Sequence, residues 1–337
     1  MTLHTRQSGA WAKVNGLFIR QSGVWTPVKN AYVRDGGVWK VYYSSEIVVN
    51  VTTSQTGLVL STLFSSADWI SATPKRVVIQ SGVVIGGAAW GALASKAGQT
   101  PGNEWGGILT LDNYGIIQGR GGIPNSGIGG SALYEDTITW TKKCIVNNFG
   151  TIRAGGGAGG VGGAGSTSTP VSEGPYYGSV NGTNHLWSQP YYNGSAVGAP
   201  DVTWAGVAIS APAGTANTAT SFTVGIYTYT RGAIRSQNGR PMPIPWQWEV
   251  SRSYQSTVAT AGGTGGRGQG SDGAAAAGAA GGANAGNGGP GGNWGIQGGT
   301  GNTGNAGAGA VGGLAGIAYN TANWSMTNTG TIQGRVT

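Results

Sequence analysis

The segment that decides the fold runs from Gly262 to Gly316 and reads GGTGGRGQGSDGAAAAGAAGGANAGNGGPGGNWGIQGGTGNTGNAGAGAVGGLAG. Counted from Gly262, every third residue is glycine, alanine or serine, and the bulky side chains lie only in the other two frames. A period of three is that of the polyproline II helix, which makes no internal hydrogen bonds and must bond sideways when buried. The pattern therefore predicts several left-handed glycine helices, folded back and packed side by side. The small-residue frame should face neighbouring helices, and the other frames should face loops or solvent.

Two other structures share part of this pattern. Collagen has the same period, but it is usually rich in proline, and Pro290 is the only proline in the segment. A disordered linker is also rich in glycine, but it normally carries charge, whereas Arg267 and Asp272 are the only charged residues of this segment. The packed glycine helices are the favoured interpretation.

The composition supports a β-rich chain. Glycine makes up 67 of the 337 residues, and charged residues make up 9%, against about 25% in typical soluble domains. Thr, Asn, Val and Tyr are common, and all of them are poor helix formers. We predict a mainly β fold with packed polyglycine II helices, an N-terminal β-hairpin repeat, a β-rich body and almost no α-helix.

Residues 1–43 are a threefold repeat with a period of 14 residues. Each unit reads as two short strands around a glycine turn, which is a hairpin signal. A lone hairpin of this length is not stable in water, so the three hairpins must pack on each other or on a partner. The tryptophans indicate either a small hydrophobic core, which we favour, or a sugar-binding surface. Two columns of the repeat hold Arg6, Arg20 and Arg34, and Trp11, Trp25 and Trp39.

The net charge is concentrated in this repeat. Six basic residues against Asp35 alone give residues 1–43 a charge of +5, out of +8 for the chain. Binding to nucleic acid would need a larger basic patch with a context for base stacking, so docking to another protein is the favoured reading.

Catalytic and metal-binding patterns are weak. His4 and His185 are the only histidines, which excludes a histidine metal cluster within one chain. Asp112 and the pair Glu135–Asp136 could suggest glycoside cleavage, but adjacent strand residues point to opposite faces. We expect no enzymatic activity and no cofactor.

Cys144 is the only cysteine, so we expect a buried thiol and no intrachain disulfide. No signal-peptide pattern or long apolar run is present, and we expect synthesis in a cytoplasm without export by the usual route.

One motif recurs three times, each time after an apolar strand. The three copies begin at Asn113-Tyr114-Gly115, Asn148-Phe149-Gly150 and Asn328-Thr329-Gly330. A strand, an Asn-x-Gly turn and a second strand predict either a hairpin or a unit of a stacked coil. The first two copies lead directly into glycine-rich chain, the second with its own triplet frame from Gly156 to Gly165.

Residues 166–260 differ from their surroundings because they are rich in aromatic side chains. We predict single strands at Val202–Ile209 and Ser221–Tyr229, and aromatic loops at 172–194 and 241–248. Tyrosine and tryptophan in loops bounded by glycine and proline are typical of binding surfaces, but they could instead cover the glycine layers. The rings that are candidates for such a binding surface are Tyr176, Tyr177, Trp187, Tyr191, Tyr192, Trp246 and Trp248.

These patterns divide the chain into four parts. Residues 1–43 form the hairpin repeat, and residues 44–165 a β-rich body that ends in the short glycine run. Residues 166–260 form the aromatic insert, and residues 261–337 the glycine-helix bundle with a closing C-terminal strand.

The strand, Asn-x-Gly turn and triplet-glycine run resemble those of bacteriophage tail-fibre and receptor-binding proteins, in particular the tip adhesins of T-even-like phages. The resemblance covers about 155–165 and 262–316. It implies a rigid block of polyglycine II helices whose end loops contact the host cell. The partners would be a surface glycan or outer-membrane protein of the host and other virion proteins, with a homotrimer as one arrangement. The protein would be located in the virion. The basic charge of the repeat, rather than this resemblance, leads us to expect that it is anchored there by Arg6, Trp11, Arg20, Trp25, Arg34 and Trp39.

Two other functions remain open. A purely structural virion spike or head fibre would need no receptor. A flat glycine-helix face could also bind ice or a crystalline polysaccharide, for which Thr300, Asn302, Thr303 and Asn305 are the only hint. The long insert and the basic repeat have no counterpart in the adhesins that the chain resembles, so neither the mode of docking nor single contact residues can be transferred.

Overall fold

The structure is a computed structural model of the chain. It describes residues 4–7, 10–13, 17–88, 91–94, 105–134, 142–192, 195–236 and 244–337. These divide into two compact units, which we describe separately. Unit 1 comprises residues 1–165 and 260–337, and unit 2 comprises residues 166–259.

The N-terminal repeat of unit 1 forms three separate antiparallel hairpins. Each hairpin pairs the arginine of its repeat directly with the tryptophan: Arg6 with Trp11, Arg20 with Trp25, and Arg34 with Trp39. The strands are β1 (His4–Gln7), β2 (Ala10–Lys13), β3 (Phe18–Gln21), β4 (Val24–Pro27), β5 (Asn30–Asp35) and β6 (Val38–Ser44).

The body of unit 1 is a coil of parallel strands. Each turn of the coil has three sides with a short strand on each, and these strands pair in parallel with the strands on the same side of the next turn. Two of the sides hold stacks of five strands, so the coil has five turns. A 3-10 turn (Leu60–Leu63) and α1 (Ser66–Ile70) are the helices of the described chain. The strands are β7 (Ile47–Val51), β8 (Gln55–Thr56), β9 (Leu58–Val59), β10 (Lys75–Ile79), β11 (Val84–Gly86), β12 (Leu93–Ala94), β13 (Leu109–Asn113), β14 (Ile116–Gln118), β15 (Leu133–Tyr134), β16 (Cys144–Asn148) and β17 (Thr151–Arg153), and, after unit 2 and the glycine segments, β27 (Ile317–Tyr319), β28 (Trp324–Asn328), β29 (Thr331–Gln333) and β30 (Arg335–Val336).

The Asn-x-Gly motifs form corners of this coil. Of the two structures that the sequence allowed, the stacked coil is therefore correct and the hairpin is not. Asn113 donates a side-chain hydrogen bond to Asn148 (2.7 Å), and Asn148 donates one to Asn328 (2.6 Å). A Cβ on Gly150 would lie 2.1 Å from the carbonyl oxygen of Gly115, so only glycine lets consecutive corners stack this closely. The interior is apolar, and the thiol of Cys144 is buried in it.

The glycine segments all leave the coil at one corner, between the second and third strands of a turn. Residues 119–132 lie between β14 and β15 in the third turn. Residues 154–316, which include unit 2, lie between β17 and β27 in the fourth turn. The N–H of Ala132 donates to the carbonyl of Ile317, so the coil continues beyond this insertion.

The glycine segments bond sideways, as the triplet frame predicts. Gly156, Gly159 and Gly162 donate to the carbonyls of Gln269, Gly266 and Gly263, at intervals of three residues. The central segment, 155–163, is hydrogen-bonded in this way to six other segments and is buried along most of its length. Those six are 119–123, 126–131, 262–270, 285–293, 296–304 and 307–316.

Residues outside the triplet frame also face neighbouring segments. The expectation that only the frame counted from Gly262 would do so was therefore wrong. In the frame, a Cβ on Gly298 would lie 2.0 Å from the carbonyl oxygen of Ala158. Outside the frame, a Cβ on Gly266 would lie 2.0 Å from the carbonyl oxygen of Ala276. Segments inside the bundle have neighbours on more than one side, so they need two frames without side chains.

Unit 2 is an antiparallel sheet of nine strands. The segments Val202–Ile209 and Ser221–Tyr229, predicted as single strands, are each a hairpin, because the chain turns at Ala205–Gly206 and at Gly225 with positive φ. The strands are β18 (Gly165–Tyr176), β19 (Gly178–Val180), β20 (Thr183–Tyr192), β21 (Ser195–Ala196), β22 (Asp201–Trp204), β23 (Val207–Ser210), β24 (Ser221–Val224), β25 (Tyr227–Ser236) and β26 (Ile244–Thr260).

Candidate receptor-contact surface

The aromatic segments of unit 2 are strands that pair with each other, whereas the sequence predicted loops. In the register of β20 and β26, Trp187 lies opposite Trp248, and Tyr191 lies opposite Ile244. Side chains alternate between the faces of a sheet, so Trp187 and Tyr191 share a face with Trp246 and Trp248. The residues Asn193, Gly194 and 241–243, which the predicted loops included, lie outside the described residues.

Two of the predicted contact rings belong to the core of unit 2. Trp187 is completely buried and Trp248 is 6% exposed, packed with Val202, Phe222 and Val250. A ring that is already enclosed by its own domain cannot contact a receptor. These two residues are therefore structural in this fold, and we remove them from the contact set.

Tyr191 and Trp246 form a stacked pair farther along the same face. Their ring centroids lie 4.3 Å apart, and the ring planes differ by only 9°. Both side chains are half-buried, so part of the stack reaches solvent. The pair lies where β20 ends and β26 begins, and the turns at Asn181–Gly182 and Ala205–Gly206 lie at the opposite end of the sheet.

A buried polar side chain organises the surroundings of the stack. Gln189 is fully buried, and its Nε2 donates to the carbonyl of Gly198 (3.0 Å) and to that of Asn217, which belong to two surface loops. Arg231 Nη1 lies 3.5 Å from Gln189 Oε1 and 3.4 Å from the Tyr191 hydroxyl. We call Gln189, Tyr191, Tyr192, Arg231 and Trp246 the aromatic end of unit 2.

The other predicted tyrosines are placed differently. Tyr192 is 44% exposed and follows Tyr191 in β20, so its ring points to the opposite face of the sheet from the stack. Tyr177 is 40% exposed and donates a hydrogen bond to Gln247 Oε1 (2.9 Å). Tyr176 is half-buried against the ring of His185, and burial together with the charge of Arg252 lowers the pKa of that histidine.

Sequence reasoning did not find Gln189 or Arg231. The strict alternation of apolar and polar residues from Trp246 to Val250 is the signal that would have indicated a strand and thus the pairing. Nothing in the sequence places Arg231 beside Tyr191, because that contact joins strands 40 residues apart.

The N-terminal hairpins present a second aromatic surface. Trp25 and Trp39 are 65% and 66% exposed, and Phe18 and Tyr32 are each 54% exposed. These rings therefore do not form the small core that we favoured from the sequence. The side chains of Arg6 and Trp11 lie outside the described residues, whereas Arg20 and Arg34 each reach the carbonyl of the turn glycine (3.4 Å).

No arrangement for catalysis is apparent in the described part of the chain. Asp112 accepts hydrogen bonds from Arg76 (2.6 Å) and Asn147 (2.7 Å), which makes it a member of a polar ladder along the coil. The pair Glu135–Asp136 lies outside the described residues. Within the described ranges, no cluster of His, Cys, Asp and Glu could hold a metal ion, and no helix is long and apolar enough to span a membrane.

Comparison with known proteins gives three results. The chain is similar to a solved structure, the gp37–gp38 adhesin tip complex of the bacteriophage S16 long tail fibre, with 17% sequence identity and a TM-score of 0.38 over 87% of this chain and 83% of that chain. No curated protein sequence matches the chain. The family described as phage tail fibre adhesin Gp38 matches residues 46–241, which is more than half of the sequence. The chain therefore belongs to the Gp38 family of phage tail fibre adhesins.

Proposed function

We propose that this adhesin attaches the phage to the host surface through the aromatic end of unit 2, without catalysing a reaction. The observation that carries the proposal is the stack of Tyr191 and Trp246, which is half-exposed at the end of the sheet where the buried Gln189 pairs in register with Trp246. Rigid aromatic rings give a large contact area at a low entropic cost, and such residues dominate binding surfaces. Tyr192, the next residue of β20, adds a ring that is 44% exposed at the same end of the sheet, on its other face.

The glycine bundle acts as the scaffold. Its sideways hydrogen bonds support its interpretation as packed polyglycine II helices. Unit 2 is inserted between the central segment and the segment that begins at Gly262, and Thr260 is bonded to the bundle through the carbonyl of Ala283 (2.6 Å). A bundle held by backbone bonds tolerates a large insertion in a turn, because the turn contributes none of the bonds between segments.

The N-terminal hairpins anchor the protein to other virion proteins. Trp25 and Trp39 are exposed on two-stranded sheets, and such isolated hairpins gain stability only by packing on something else. Exposed tryptophans surrounded by polar residues are typical of interaction sites. The charge of +5 in residues 1–43 favours a partner with acidic groups beside an apolar surface.

The partners follow from these two surfaces. On the host side the partner is an outer-membrane protein or a surface glycan, and on the virion side it is a fibre protein, with a homotrimer of this chain as a further expectation. The protein would be made in the host cytoplasm and then incorporated into the virion.

Binding of the purified protein to host cells tests the attachment function. Replacing Tyr192 and Trp246 by alanine should abolish most of the binding and the protein's ability to block phage adsorption. The control replaces Val207 and Ile226, which are exposed at 62% and 66%, by serine and should bind normally. Unchanged binding of the Tyr192 and Trp246 variant would contradict the proposed surface. A native protein that never binds host cells would favour a purely structural fibre component.

A further inference from the structure

We propose that the aromatic end binds a sugar unit of a bacterial surface polysaccharide. The proposal rests on the attachment function and names the chemistry of the ligand. The occupant is a pyranose ring placed against Trp246, with its hydroxyl groups toward Arg231 and the Tyr191 hydroxyl.

The stack has the shape for such a ligand. The rings of Tyr191 and Trp246 are nearly parallel, at 9°, and stack face to face at 4.3 Å, so Tyr191 backs the half-exposed Trp246 ring and leaves its outer face as a flat platform. The C–H face of a pyranose is flat and apolar and can cover an aromatic ring with good contact. An aromatic face beside hydrogen-bonding groups therefore suits a sugar ring, whose hydroxyl groups lie around its edge.

Polar groups beside the platform suit hydroxyl groups. Arg231 offers five N–H donors, and its hydrogen bonds to Gln189 and Tyr191 are long, at 3.5 and 3.4 Å. A sugar hydroxyl at normal distance would therefore compete well for these donors. The Tyr191 hydroxyl can both donate and accept, which matches the dual character of a sugar hydroxyl.

The site is also held in place before any ligand arrives. Gln189 is completely buried and donates hydrogen bonds to the carbonyls of Gly198 and Asn217, so these two loops are tied to the end of the sheet. Arg231 is held over the Trp248 ring at 4.9 Å. Such preorganisation reduces the entropic cost of binding a ligand with few contacts.

Binding of the full chain to two preparations from host cells tests the proposal. The first is surface polysaccharide treated with proteinase K, and the second is outer-membrane vesicles whose sugars have been oxidised with periodate. We expect the native protein to bind the polysaccharide, Trp246→Ala to weaken this binding at least about tenfold, and Trp246→Phe to restore most of it, because truncating a central aromatic contact typically costs this much. The control Ile226→Ser, at the opposite end of the sheet, should bind normally.

Each alternative outcome has one meaning. Binding to intact cells and oxidised vesicles but not to the polysaccharide would overturn the sugar site and leave the attachment function standing. Polysaccharide binding that Trp246→Ala does not change, in a protein with a native melting temperature, would also overturn it. A chain that binds no host cells would refute the attachment function itself.

Discussion

The glycine bundle and unit 2 are stabilised in opposite ways. In the bundle, segment 155–163 is surrounded by six neighbours at backbone contact distance, and side chains are almost absent from its interior. Unit 2 is instead built around large rings such as Trp187, Trp204 and Trp248. The bundle therefore depends on the absence of side chains at set positions, and unit 2 depends on their presence. This difference fits a division between a scaffold and a contact domain.

The largest effect is expected from a side chain in the centre of the bundle. In Gly160→Val, the new Cβ would lie 1.9 Å from the carbonyl oxygen of Ala310. The change would disturb the hydrogen bonds of Gly160 to Gly299 and Gly289. Each backbone group left unpaired costs ~1–3 kcal/mol, and overpacking costs ~1–3 kcal/mol more. The free energy of unfolding should therefore fall by about 4 kcal/mol or more. The exposed control Ala308→Val should change the melting temperature little. Equal losses in the two variants would mean that the bundle is not packed as described.

The corresponding change in unit 2 removes a side chain. Trp187→Ala should destabilise unit 2 by ~3–5 kcal/mol, because Trp187 is completely buried in its core. Ile226→Ala, at an exposed turn, should stay within ~0.5 kcal/mol of the native protein. Hydrogen exchange resolves the effect by region and should show faster exchange in β20 and β26. Unchanged protection of these strands would contradict the assignment of Trp187 to the core.

A smaller effect is expected in the coil, where side-chain hydrogen bonds link successive turns. Asn148→Ala removes the acceptor of Asn113 and the donor to Asn328, and should cost ~1–3 kcal/mol in urea unfolding. Asn328→Ala should cost less, because Asn328 ends the ladder and is exposed. A larger loss at Asn328 than at Asn148 would contradict this order.

The smallest effect on stability is expected at the N-terminal hairpins. The double variant Trp25→Ala and Trp39→Ala should melt within a degree or two of the native protein, because both rings are exposed. Incorporation into virions, measured by blotting purified particles, should nevertheless fall strongly. A large drop in melting temperature with normal incorporation would show that the rings are structural.

The sequence predicted the parts of this fold that depend on local patterns. The triplet frame from Gly262 predicted segments that bond sideways, and the Asn-x-Gly motifs predicted strand, turn and strand. The sequence alone did not distinguish a hairpin from a stacked coil. That distinction depends on parallel pairing between turns about 35 residues apart, such as the pairing of Asn113 with Asn148. The mainly β fold is confirmed.

The candidate site was predicted less well. Proline and glycine around Tyr191 and Trp246 suggested loops, yet Pro190 and Pro245 lie opposite each other in paired strands. Burial also depends on tertiary packing, so the sequence could not separate Trp187, in the core, from Trp246, at the surface. In the coil, the sequence also did not indicate the role of Lys75, which is buried and donates hydrogen bonds to the carbonyls of Ser71, Thr73 and Gly106.

Removal of unit 2 from the chain tests the division between scaffold and contact domain most directly. A Cβ on Gly165 would lie 2.5 Å from the side-chain oxygen of Thr260, so a short glycine-serine linker can replace residues 166–259. We predict that this variant keeps the hydrogen-exchange protection of the segment 155–163 and loses binding to host cells. Binding equal to that of the full chain would contradict the account, because the contact surface would then lie outside unit 2.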